Sequence, residues 1–144
     1  MNIEGSVAVI TGASGGIGRA VAVDLAKRGA KGMAMVDRTE SILEVVKAVN
    51  DETGTKGAVG YAGDVTDPEF RRNVYADMQK KFGPVNICVP AAGITRDRLA
   101  VRIAKETHQV AMYPLEMFRE VVEVNLIAPV YWGLEMVAGI ALER

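Results

Sequence analysis

Apolar positions along the chain switch between two periods, with Gly or Pro at the joints. Val7-Ala-Val-Ile10 is a short unbroken apolar run of the buried-strand type, and Ile17, Val21 and Leu25 follow it four residues apart, on one face of a helix. Gly29 stands where a C′ glycine would end that helix. Gly32-Met-Ala-Met-Val36 reads as a second strand, and Ser41 with Glu44 fits a capping box opening a second helix with Leu43, Val46 and Val49 inward. After the polar stretch 50–57 comes a third strand, Ala58 to Ala62. The segment Asp64-Val-Thr-Asp-Pro-Glu69 offers Thr66 or Asp67 as an N-cap and Pro68 for a first turn. Phe70, Val74, Met78 and Phe82 then line one face of a third helix. Gly83-Pro84 precedes a fourth strand, Val85 to Ala91, and a long helix runs from about Pro114 to near the C-terminus. The stretch from Gly93 to Tyr113 is the least regular.

Strands alternating with helical crossovers, each right-handed, predict an α/β fold: a doubly wound parallel sheet of the Rossmann-like kind, in strand order 3-2-1-4. Ligands of such sheets bind at the carboxyl ends of the strands, where the winding reverses. The 144 residues, 49% apolar and 24% charged, suit one domain with a real core. A formal net charge of −1 gives no electrostatic reason for a nucleic acid or an anionic membrane as partner. Cys88 is the only cysteine and His108 the only histidine, so neither an internal disulfide nor a zinc site has a ligand set, and no metal is expected. The N-terminus has no basic flank and leads into an apolar run too short for a signal or membrane segment, which predicts a cytoplasmic protein.

Candidate chemistry sits at the exits of the strands. In Thr11-Gly-Ala-Ser-Gly-Gly-Ile-Gly18, Gly12 permits the sharp turn, Gly16 a close backbone approach to a pyrophosphate, and Gly18 tight packing of helix on strand. Phosphates would meet the free N–H groups and positive dipole end of the helix opened by Gly15, Gly16 and Ile17, and Ser14 can add a hydroxyl. Asp37 closes the second strand, 19 residues after Gly18, where a carboxylate can bond the ribose hydroxyls of an adenosine. It would repel the extra phosphate of NADP, so NAD is the expected cofactor and NADP the less favoured one. Arg38 dissents, since a guanidinium there could pair with that phosphate if Asp37 turned away.

This glycine spacing, preceded by Thr11, resembles that of the short-chain dehydrogenase/reductase superfamily, and further segments match in order. Asp64-Val65 resembles the family's adenine-contacting pair, Ala92-Gly93 (after Ala91) the end of its Asn-Asn-Ala-Gly segment, and Val124-Asn125-Leu126 its active-site asparagine segment. Ala92-Gly-Ile-Thr-Arg-Asp97 is most similar to the 3-oxoacyl-carrier-protein reductases. The resemblance implies hydride transfer between nicotinamide and a small-molecule carbonyl or secondary alcohol, a 3-oxoacyl thioester by the nearest likeness, in a homo-oligomer, a tetramer in the relatives. It also implies that the Asn125 carbonyl holds a water in a proton relay. Pro129 has no N–H to bond that carbonyl, which leaves it free at a kink.

Three departures set the expectations apart. Pro90-Ala91 stands where the family has two asparagines, so Pro90 is expected at a strand end or bulge. The connection before the long helix is about ten residues longer than in the similar reductases, with 104–113 the apparent insert, read as a lid or as a tolerated surface loop. His108 within it reads as a solvated loop residue. No Tyr-x-x-x-Lys occurs: Tyr61, Tyr75, Tyr113 and Tyr131 are followed four positions on by Val65, Gln79, Met117 and Glu135. The family's serine, tyrosine and lysine follow the asparagine helix, so 1–144 is expected to be the dinucleotide-binding, N-terminal part of a reductase, lacking the later strands and inactive alone. A non-catalytic dinucleotide-binding module and an interaction fragment completed by another chain are the alternatives.

Overall fold

In the computed structural model, which describes residues 2–142, the four strands β1 (Val7–Thr11), β2 (Gly32–Asp37), β3 (Ala58–Ala62) and β4 (Ile87–Pro90) form one parallel sheet. The order is β3-β2-β1-β4, as the alternation of periods predicts. Helices α1 (Gly16–Lys27), α2 (Ile42–Thr53) and α3 (Pro68–Phe82) make the crossovers, and a long helical segment follows β4: α4 (Leu115–Val122), a π turn (Glu123–Ile127) and α5 (Ala128–Leu142).

Strand alternation divides the core into two layers. Ala8, Ile10, Met33 and Met35 face α1 and α2, packing on Ala22, Val23, Leu25, Ile42, Val46 and Val49. Val7, Val9, Ala34 and Val36 face α3 and α5, packing on Val74, Tyr75, Met78, Ala128 and Trp132. Trp132 anchors the second layer. Its ring stands edge-on to Phe70, its Nε1 donates to the Val65 carbonyl at 2.9 Å, and its own carbonyl accepts from the Tyr75 hydroxyl at 2.6 Å. Arg71 and Glu135 add a largely buried ion pair at 3.2 Å between the same two helices.

Helix ends follow local chemistry, with one exception. Gly29 adopts φ +82, its N–H bonds the Ala26 carbonyl and the Ala30 N–H bonds that of Leu25, which is a Schellman closure. Asp67 is the N-cap of α3, accepting from the N–H groups of Glu69 and Phe70, with Pro68 opening the helix. The capping box at Ser41 and Glu44 does not form. Ser41 is helical in its own backbone and its hydroxyl bonds that of Thr39 at 2.7 Å, so it caps no N–H of α2.

The inward faces of two helices are shifted from the expected ones. Ile42 rather than Leu43 is buried at the start of α2, while Leu43 is 54% exposed. In α1, Ile17 is 76% exposed, and Gly18, Ala22, Val23 and Leu25 make the buried face, with Val21 partly covered. Leu25 and, in part, Val21 keep the expected stripe, and only Ile17 leaves it.

β4 covers Ile87–Pro90, shorter than Val85 to Ala91, and Pro90 is its last residue, beside Thr11. Beyond β4 the chain is not the loop that the sequence suggests. Residues 101–112 form an antiparallel hairpin of β5 (Val101–Ile103) and β6 (Val110–Met112), every strand residue exposed, and His108 closes its tip at φ +54. Leu115–Leu142 is long and apolar enough by length and composition to span a membrane, yet Ala128 and Trp132 within it are packed on the sheet.

Candidate functional site

The carboxyl ends of the four strands meet in an open cleft of about 510 Å³, within the size range of small-molecule sites. Its floor is the turn after β1. Gly12 adopts φ +67, and a Cβ there would lie 2.7 Å from the Ala92 nitrogen, so the exits of β1 and β4 can approach only across a glycine. The Ala92 N–H donates to the Thr11 hydroxyl at 3.1 Å, fastening the two exits together. A Cβ on Gly18 would lie 2.3 Å from the Gly12 carbonyl oxygen, which leaves α1 packed tightly on the turn. Gly15 and Gly16 face open space, Gly16 at φ +51, so the start of α1 presents bare backbone to the cleft side.

Asp37 is the fixed acid of this site. One carboxylate oxygen accepts the Ser14 N–H at 3.0 Å and the other the Arg38 N–H at 2.7 Å, so the side chain is held toward the glycine turn rather than free to swing. The Ser14 hydroxyl is buried and has no hydrogen-bond partner, an unsatisfied donor in the wall of the turn. Asp64 forms a second acidic point. Its Oδ1 accepts both the N–H and the hydroxyl of Thr66, at 2.9 and 2.8 Å, and these bonds hold its carboxyl below the ordinary 3.8, with Arg38 adding in the same direction. The other carboxylate oxygen is left for a ligand donor. The Gly63 N–H donates to the Asp37 carbonyl at 2.9 Å, tying the exits of β2 and β3.

On the far side of the cleft the Asn125 amide bonds both backbone groups of Ile94: Oδ1 accepts its N–H and Nδ2 donates to its carbonyl, each at 2.8 Å. Asn125 therefore continues the β4 exit as a strand partner would. Arg96 forks onto Glu120 at 2.7 and 2.9 Å, and the Tyr113 hydroxyl donates to the Arg96 carbonyl, which clamps the next residues onto α4. The π turn places the Ala128 N–H on the Glu123 carbonyl just ahead of Pro129. A proline at 129 has no N–H for the Asn125 carbonyl, and the wide turn absorbs the break.

Of the site residues expected from sequence, Gly12, Gly15, Asp37, Arg38, Asp64, Val65, Ala91, Ala92 and Gly93 line this cleft together. Ser14 and Gly16 lie in its turn, Gly18 packs behind it, and Ile17 is exposed and is not among the lining residues. Asn125 stands behind the lining and reaches it through Ile94. Gly63, Thr66, Ile94, Glu120, Glu123 and Val124 line the cleft as well and were not singled out. Gly63 carried a readable signal, a glycine at a strand exit, and a Cβ there would strike the Phe70 ring. The two glutamates carried none, being ordinary polar positions of a helix face.

Residues 6–140 match the family described as short chain dehydrogenase. The chain belongs to the short chain dehydrogenase family. It is 40% identical over 126 residues to the 3-oxoacyl-[acyl-carrier-protein] reductase FabG of Escherichia coli (strain K12), covering 88% of this chain and 46% of that protein. The FabG of Vibrio cholerae is 45% identical over 114 residues, covering 74% of this chain and 41% of its own length. The chain thus spans about half the length of these relatives. Among solved structures, a short-chain type dehydrogenase/reductase from Mycobacterium marinum superposes with a TM-score of 0.78 at 26% identity, over 99% of this chain and 53% of that one. NAD+-bound xylitol dehydrogenase shares the fold at a TM-score of 0.77 and 24% identity, over 99% and 51%. The relatives are oxidoreductases, and the family is one of enzymes that use a nicotinamide dinucleotide.

Proposed function

We propose that this chain is the dinucleotide-holding half of a short-chain reductase and that it takes NAD in preference to NADP. The observation that carries the preference is the Asp37 carboxylate, held at the cleft by the backbone N–H groups of Ser14 and Arg38. A carboxylate fixed in that position accepts from two ribose hydroxyls and repels a phosphate in their place. Arg38 lines the same cleft and could pair with that phosphate only if Asp37 turned away from the glycine turn.

The residues present fit such a cofactor. Gly15 and Gly16 leave room for a pyrophosphate against the N–H groups that open α1, and the unpartnered Ser14 hydroxyl supplies a donor beside them. The free oxygen of Asp64, with Val65, suits the amino edge and face of an adenine. Ala91, Ala92 and Gly93 present backbone toward the far ribose, and Asn125 keeps that backbone in place through Ile94. Bound nicotinamide supplies or accepts the hydride. The substrate is then a carbonyl or a secondary alcohol, and the likeness to FabG favours a 3-oxoacyl thioester. No Tyr-x-x-x-Lys occurs in residues 1–144, and the role assigned to the residues of this cleft is to hold the cofactor. The Asn125 carbonyl, without an α-helical donor because of Pro129, is the group this half offers to a relay water.

Fluorescence titration with NADH and NADPH at matched ionic strength tests the reading. NADH binding tighter than NADPH is expected, and Asp37→Ala should weaken NADH by about tenfold or more while narrowing the gap. Tighter NADPH binding by the wild-type chain would overturn the preference, and binding of neither would overturn the reading itself.

A further inference from the structure

Residues 93–99 leave β4 at the edge of the cleft and, among the described residues, make no backbone-to-backbone hydrogen bond. Side chains hold them instead. The Asn125 amide takes both backbone groups of Ile94. Arg96 uses all three of its nitrogens: Nε and Nη2 donate to the two oxygens of Glu120 at 2.9 and 2.7 Å, and Nη1 donates to the Thr95 carbonyl at 2.9 Å. The Tyr113 hydroxyl donates to the Arg96 carbonyl at 2.5 Å, and the Tyr113 N–H to the Ala100 carbonyl at 2.8 Å. Four backbone groups on three successive residues, 94–96, are thus fixed by three side chains.

Tyr113 is itself placed from two sides. Its N–H closes the base of the β5–β6 hairpin, and Pro114 after it is the N-cap residue of α4, so hairpin and helix together set where the hydroxyl stands. Sheet order then says which end of a dinucleotide the 93–96 segment meets. With the adenosine ribose on Asp37 at the exit of β2 and the pyrophosphate at the turn after β1, the order β3-β2-β1-β4 carries the second ribose and the nicotinamide over the exit of β4. No further strand follows β4 in that sheet among the described residues, and the cleft is bounded there by Gly93, Ile94 and Glu120. Backbone without a ladder adds to affinity only if it is already in place, because ordering it at the moment of binding subtracts from the gain.

We propose that Arg96 and Tyr113 are positioning residues for the nicotinamide end of the cofactor. Arg96, locked by Glu120 and braced by Tyr113, holds 93–96 as a preformed wall against the second ribose, and the hairpin is the strut that carries Tyr113. The proposal rests on the cofactor reading and adds to it which side chains build the far half of the site. Arg96 also neutralises Glu120, whose carboxylate would otherwise stand unpaired in the wall before an anionic ligand.

Calorimetric titration of the chain with NADH and with ADP separates the two ends, since ADP carries the adenosine and the pyrophosphate without the second ribose or the nicotinamide. Arg96→Met combined with Glu120→Gln removes the fork without leaving a free carboxylate. This double variant should raise the NADH dissociation constant about tenfold and leave that of ADP within about twofold, with circular dichroism unchanged. Arg96→Lys, which keeps the charge but loses the fork, should fall between wild type and double variant. Tyr113→Phe should raise the NADH constant severalfold and again spare ADP. NADH and ADP weakened alike, or neither weakened, overturns the proposal. A wild-type chain that binds ADP as tightly as NADH has no working wall beyond β4 and overturns it too, with the adenosine site left standing. Binding of neither ligand overturns the cofactor reading itself, and the proposal with it. Should the double variant fail to fold, Tyr113→Phe, which deletes one hydroxyl, decides alone.

Discussion

Asp37 owes its direction to two backbone donors, and that economy recurs through the site: Asp64 is turned by Thr66, and Ile94 is held by the amide of Asn125. Side chains close to the cleft bond backbone, so the strand exits keep their relative places without a ligand. Asn125→Ala removes two hydrogen bonds at once, and about 1–3 kcal/mol of local stability should go with them. The reading is amide exchange, which should speed at Ile94 and its neighbours by far more than in β1 or β2. Gly12, Gly18 and Asp37 were legible in the sequence because a close approach demands glycine and a strand exit displays its last side chain. The exposure of Ile17 was not, since four-residue spacing alone does not show where along a helix the covered stripe begins, and Glu120 and Glu123 carried no local signature.

Among the elements, α3 and α5 carry the layer that holds the long helix. The Asp67 cap should be worth about 1 kcal/mol, so Asp67→Ala should lower the denaturant midpoint by that energy divided by the slope, with the slope unchanged. Tyr75 and Tyr61 give this layer a pH dependence. Burial raises both hydroxyls above the ordinary 10.0, with the bond to Asp77 adding at Tyr61. The folded chain thus keeps protons that the unfolded chain releases, so their contribution is full below pH 10 and lost as the pH climbs past it. Thermal midpoints should fall as the pH rises above 10, and Tyr75→Phe should flatten part of that fall. The hairpin shows why one element went unread. Its strands are three residues each, its tip Lys105-Glu-Thr-His108 lacks an Asn-Gly or Asp-Gly signal, and His108 rather than glycine takes the left-handed turn. Ser41 erred the other way, a cap by sequence spacing whose hydroxyl found Thr39 first.

For the whole molecule, the parallel sheet followed from the alternation of periods and right-handed crossovers, and its order from a chain that winds outward and then returns past β1. The reversal of winding between β1 and β4 is what opens the cleft, and every acidic and glycine feature of the candidate site falls along it. The proposed ligand of this edge is a nicotinamide dinucleotide, with its adenosine ribose on Asp37. Backbone amide NMR during a titration with NADH reads that contact residue by residue. Shifts are expected at the turn 12–18, at Asp37 and Arg38, at Asp64 and Val65, and at 91–94, with the Asp37 and Ser14 amides muted in Asp37→Ala. Saturating NADH that leaves the turn after β1 unmoved, or moves only the hairpin and the outer face of the long helix, would contradict it.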